Sequence, residues 1–98
     1  MLTVNIGNTN STNNLSVFSK TAQHLEAQVR EMLTYEQLNE ILKQSTECYY
    51  ILTNSLLDLQ GQEHQQATEL CKQFSQIETQ ALLKYYKGSY IGRKSLLL

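Results

Sequence analysis

Leu38, Leu42, Ser45, Tyr49, Leu52, Leu56 and Leu59 follow one another at spacings of 4, 3, 4, 3, 4 and 3. A helix with about 3.6 residues per turn gathers such positions on one side, so the pattern predicts an amphipathic helix over about residues 35–60. Ile41 and Cys48 widen the stripe, and its single polar member, Ser45, is small enough to let a second helix come close. Just upstream, Thr34-Tyr35-Glu36-Gln37 has the form of a capping box, with Leu33 and Leu38 placed as its hydrophobic staple. A second stripe, Ala67, Leu70, Phe74, Ile77 and Ala81, is flanked by Cys71 and Tyr85 and predicts a helix over about residues 63–87. Lys84 and Lys87 fall in its last turn and Gly88 follows as a stop, because cations suit a helix C-terminus and glycine adopts the left-handed backbone there. A third stripe, Phe18, Ala22, Leu25, Val29 and Met32, predicts a shorter helix over about residues 19–33 with Ser19 as N-cap.

Gly61 decides how the two long helices relate. If one helix ran through it, the seam after Leu59 would fall on Glu63, Gln66 and Leu70, two of them polar, and the apolar stripe resumes out of phase at Ala67. A phase break at a glycine predicts two helices folded into a hairpin. The expected fold is therefore all-α: a helical hairpin of residues 35–60 and 63–87, a shorter preceding helix of residues 19–33, and a flexible N-terminal tail. Residues 1–18 carry no charge and are dominated by Asn, Thr and Ser, whose side chains compete with the backbone for hydrogen bonds. They are assigned as a disordered polar tail, residues 19–88 as the helical domain, and residues 89–98 as a basic and apolar C-terminal tail.

Composition narrows the picture further. The 98 residues leave room for one small domain, and the 41% hydrophobic content supplies a modest core. The formal net charge of −1 hides an uneven distribution. Residues 1–80 carry all nine acids with Lys20, Arg30, Lys43 and Lys72, whereas residues 81–98 carry Lys84, Lys87, Arg93 and Lys94 and no acid. An acidic body with a basic end can steer an anionic partner. No stretch has the length and apolarity of a membrane span, and no N-terminal run has the layout of a secretory signal, so the expected location is cytoplasmic.

Candidate chemistry is sparse. Cys48 and Cys71 are offset by nearly one turn across an antiparallel hairpin, which predicts free thiols in a reducing compartment rather than a disulfide. His24 and His64 have no partners at metal-ligand spacing. No glycine-rich phosphate loop, Gly-x-Ser-x-Gly or His-Glu-x-x-His is present, so neither an enzyme nor a cofactor or small-molecule substrate is expected. The least ordinary stretch is ALLKYYKGSYIGRKSLLL. Ala81, Leu82 and Tyr85 can face the hairpin seam, while Leu83, Tyr86 and Tyr90 lie on another face, followed by Arg93 and Lys94. Those five residues are the candidate partner-binding set. The function expected is a small non-enzymatic protein–protein interaction module of the chaperone, adaptor or inhibitor kind, with a protein partner or self-association. A nucleic-acid-binding regulator that stacks bases on the tyrosines beside the cations is the alternative, and a structural homo-oligomer is a third reading.

Overall fold

The computed structural model describes residues 11–92. Three helices follow in order: α1 (Ser11–Val29), α2 (Tyr35–Ser55) and α3 (Gly61–Lys87). A 3-10 turn, Leu56–Asp58, lies between α2 and α3. The chain runs up, down and up, with α2 and α3 packed most extensively against each other and α1 laid chiefly on α3.

The hairpin follows from local chemistry at both ends of α2. Thr34 is extended, its hydroxyl accepts from the Gln37 N–H at 3.0 Å, and the Gln37 side chain accepts from the Thr34 N–H at 2.9 Å. Two of the otherwise orphaned donors at the helix start are thereby satisfied. Leu33 and Leu38 beside the box are both buried. At the other end Gly61 takes φ +62°, a conformation that costs an L-residue with a Cβ roughly 1–2 kcal/mol, and the reversal of direction is centred on it. Gly88 ends α3 at φ +70°. Its N–H reaches the Tyr85 carbonyl at 3.1 Å and the Ser89 N–H reaches the Lys84 carbonyl at 2.9 Å, the paired bonds of a Schellman stop.

α3 carries the core ridge, Ala67, Leu70, Cys71, Phe74, Ile77 and Ala81, all buried. Phe74 is fully enclosed and meets Phe18 of α1 edge to face at 6.4 Å. α2 contributes Leu38, Ile41, Ser45 and Leu52. Ser45 is completely buried and donates to the Leu42 carbonyl at 3.2 Å, so its hydroxyl is satisfied where the helices approach closely. Polar braces join the helices around the core: Thr46 donates to Glu78 at 2.7 Å, Gln73 donates to Glu26 at 3.0 Å, and the Lys84 ammonium donates to the Glu31 carbonyl at 2.6 Å.

Several boundaries differ from the sequence reading, each for a packing reason. The first helix begins at Ser11 instead of residue 19, and Ser19 is interior to it, because Leu15 extends the apolar stripe one turn upstream of Phe18 and both are buried. The expected polar tail of residues 1–18 is thus helical from residue 11, and its first ten residues lie outside the described ones. The same helix stops at Val29, so Met32 leaves the stripe and is 65% exposed while Leu33 takes the buried place. The second helix ends at Ser55 rather than 60, since the chain tightens into the 3-10 turn before reversing. The third starts at Gly61 rather than 63. The buried stripe of α2 is also rotated from the expected seam: Leu42, Leu56 and Leu59 are only partly buried and Tyr49 is exposed. The cause is α1, which packs on one side of the hairpin and draws the core toward itself. Finally, the described part of the assigned C-terminal tail, residues 89–92, returns to the body. The Ile91 N–H donates to the Leu33 carbonyl at 2.7 Å, and its carbonyl accepts from the Tyr35 N–H at 3.3 Å.

Replacing Gly61 by Ala meets no atom within 4 Å, so only backbone strain opposes it. Denaturant unfolding of Gly61→Ala is expected to show a loss of about 1–2 kcal/mol, and an unchanged midpoint would mean that the reversal does not use the left-handed conformation. Thr34→Ala, which removes the cap, is expected to lose about 1 kcal/mol in the same assay.

Candidate functional site

The C-terminal turns of α3, the loop that follows and the start of α2 meet at one end of the bundle. Antiparallel packing brings Tyr35, the first residue of α2, beside Tyr85, with ring centroids 5.9 Å apart. The chain then turns at Gly88 and lays Tyr90 against both, at 5.4 Å from Tyr35 and stacked 6.2 Å from Tyr85. Tyr86 meets the edge of Tyr85 at 5.6 Å. Four of the six tyrosines therefore form one cluster, held in place by the Schellman stop and the Ile91 contact.

The candidate residues separate within this end. Leu83 is 52% exposed and Tyr86 77% exposed, and a spacing of three makes them neighbours on the outer surface of α3. Tyr90 is half-buried and packs into the tyrosine cluster, because the helix ends at Lys87 and the chain direction changes before residue 90 is reached. Arg93 and Lys94 lie outside the described residues, as do the terminal leucines. Of the cations near this end, Lys84 is engaged with the Glu31 carbonyl, while Lys87 is exposed beside Tyr86. Met32 and Ile91, both exposed, add to the apolar surface. Sequence reasoning missed Tyr35 and Ile91 as members of this end. Tyr35 was recoverable, since a hairpin turning near residue 61 sets position 35 opposite the last turn of α3.

The cluster has its own electrostatics. Hydrogen bonds from Asn39 and from Tyr85 hold the Tyr35 phenol below its ordinary value. The Tyr85 phenol is raised, first by its hydrogen bond to Tyr35 and the charge that Tyr35 carries on ionising, then by burial and by Tyr90 and Tyr86.

Other potential chemistry is dispersed. Cys48 and Cys71 are free thiols. Burial, followed by the neighbouring Glu47 carboxylate, pushes the Cys48 thiol up to about 11, and burial raises Cys71 as well. Protonated thiols are poor nucleophiles and metal ligands. Among the described residues no group of three His, Cys, Asp or Glu side chains is placed to hold a metal ion. No helix among them is long and apolar enough to cross a membrane. A shallow groove of about 520 Å³ runs between α1 and α3 past Leu15, Ser19, Lys20, Gln66 and Glu69. A second, of about 410 Å³, lies between α2 and α3 past Tyr49, Leu56, Cys71 and Ser75.

The thiol shifts have a defined sign in stability. A folded-state value above the unfolded one means that folding favours the protonated thiol, so this stabilisation is complete below pH 9.0 and is lost as pH rises toward about 11. In Cys48→Ala the fall of the unfolding midpoint across that window is expected to be shallower than in the natural chain, and an identical pH profile would refute the assignment. The chain matches no known family model, and neither a curated protein nor a solved structure is found that is significantly similar to it.

Proposed function

We propose that this chain is a non-catalytic protein–protein interaction module of the chaperone, adaptor or inhibitor kind, working in the cytoplasm. Its contact surface is the outer side of the last turns of α3, where Leu83 and Tyr86 stand beside Lys87, and Arg93 and Lys94 follow in the chain. The observation that carries this reading is that Leu83 and Tyr86 remain more than half exposed while the core behind them is complete, with Ile77 and Ala81 almost wholly buried on the opposite side of the same helix. Tyrosine is among the residues enriched at protein interfaces, and the exposed leucine beside it on a rigid helix adds apolar surface for a partner to bury. The tyrosine cluster supports the same surface from beneath by fixing how α3 ends. Two cysteines that remain free thiols agree with a reducing compartment.

The test is affinity capture from the native cell with the natural chain and with Leu83→Ser/Tyr86→Ser. The double variant is expected to lose the captured protein while helicity and thermal midpoint stay nearly unchanged, since exposed substitutions move stability by about 0.5 kcal/mol or less. Undiminished capture would place the contact elsewhere. A collapse of the fold would make the two residues structural, and salt-sensitive retention on mixed nucleic acid that the double variant abolishes would replace the protein partner with a polyanion.

A further inference from the structure

Within the tyrosine cluster one pair is held more directly than the others. Tyr35 opens α2, and its own N–H is bonded to the carbonyl of Ile91, the residue after Tyr90. A second bond, from the Ile91 N–H to the Leu33 carbonyl, closes the bridge on the other side. The two rings are therefore carried by stretches of backbone fixed to each other. Their centroids are 5.4 Å apart with the planes inclined at 51°, the shortest separation among the four tyrosines. At that spacing the ring edges are close to contact.

The surroundings favour loss of an electron here. Tyr35 is 37% exposed and Tyr90 half-buried, so an oxidant working from solvent reaches the edge of the pair. Asn39 and Tyr85 hydrogen-bond the Tyr35 oxygen and make its proton easier to release, and a phenol that gives up its proton readily gives up an electron readily too. Competition is limited. The chain has no tryptophan, and burial raises both Cys48 and Cys71, which keeps them from the thiolate form that oxidants attack.

The geometry points to an oxidative modification site at which Tyr35 and Tyr90 are joined as a dityrosine by a one-electron oxidant driven by hydrogen peroxide, of the haem-peroxidase class. The oxidant takes one electron from each phenol, and each phenol proton passes to water. The two phenoxyl radicals then form a carbon–carbon bond between the ring positions beside their oxygens. The hydrogens displaced from those carbons move to the oxygens and restore both phenols. The pair loses two hydrogen atoms in all, and one hydrogen peroxide becomes two waters. Preplacement is what favours this bond over coupling between chains, since each radical already has its partner beside it. The product closes a loop through all of α2 and α3 and pins the returning chain on the Leu33–Tyr35 segment. Thiols do not cut a carbon–carbon bond, so the mark persists where cysteines stay reduced. Leu83 and Tyr86 take no part, so this site and the partner contact at the end of α3 stand or fall independently.

The test treats the full chain, at micromolar concentration, with hydrogen peroxide and a haem peroxidase. The expected product keeps the mass of one chain, shows the blue fluorescence of dityrosine and, after trypsin, yields residues 31–43 joined to residues 88–93 with two hydrogens lost. A thiol reductant, which would open a disulfide, is expected to leave that joined peptide intact. Tyr90→Phe and Tyr35→Phe keep the rings but cannot couple, and each is expected to abolish it. Tyr86→Phe is expected to leave its yield unchanged. Should Tyr35→Phe loosen the fold, Tyr90→Phe decides alone. Absence of the joined peptide overturns the proposal, as does its survival in Tyr90→Phe. Coupling carried by residues 85–87 instead, or found only between two chains, overturns it as well.

Discussion

The fold rests on the apolar ridge of α3 being shared. Phe74, fully enclosed, is reached from one side by Phe18 of α1, while Thr46 and Glu78 tie the same helix to α2 from the other. Neither α1 nor α2 could bury its stripe without this ridge, because the two shorter helices touch each other far less than each touches α3. Alanines at 67 and 81, both fully buried, keep the ridge narrow near each end, so two neighbours can approach one helix without colliding. Burying one large apolar side chain is worth about 1.5–3 kcal/mol, and a domain of this size has few to spare. The polar braces from Gln73 and Lys84 then fix the register of α1, which apolar contact alone would leave free to slide.

Most of this was legible from spacing. The capping box at Thr34 and Gln37, the reversal at Gly61 and the stop at Gly88 are local signals with local causes, and the chain obeys each of them. What failed were places where a third element intervenes. The first two turns of α1 were hidden because Asn, Thr and Ser are weak helix formers, and the gain from seating Leu15 and Phe18 against α3 outweighs that preference. Of the expected α2 seam, Leu38, Ser45 and Leu52 are buried, whereas the addition of α1 draws the buried line toward Ile41 and leaves Leu42, Tyr49 and Leu56 at its edge.

The candidate surfaces show the same division. Exposure of Leu83 and Tyr86 followed from their spacing alone, since two apolar faces on one helix cannot both turn inward. Tyr90 did not follow, because extending the helical phase past Gly88 ignores the change of direction that glycine makes. The partial exposure of Leu42, Tyr49 and Leu56 did not follow either, because these positions were read as seam. Only the position of α1 shows that this side is left over.

The link between Ile91 and the Leu33–Tyr35 peptide groups bears on how the molecule is assembled in time. It joins positions far apart in sequence through two backbone bonds, so in an open chain the loop entropy lost would exceed anything those bonds return. Packing of the long helices against each other, with Lys84 on the Glu31 carbonyl, is what holds the two ends within reach. The contact at Ile91 is thus a latch whose loop closure is borne by the helices behind it, and amide exchange at its N–H is a local readout of how firmly they hold together.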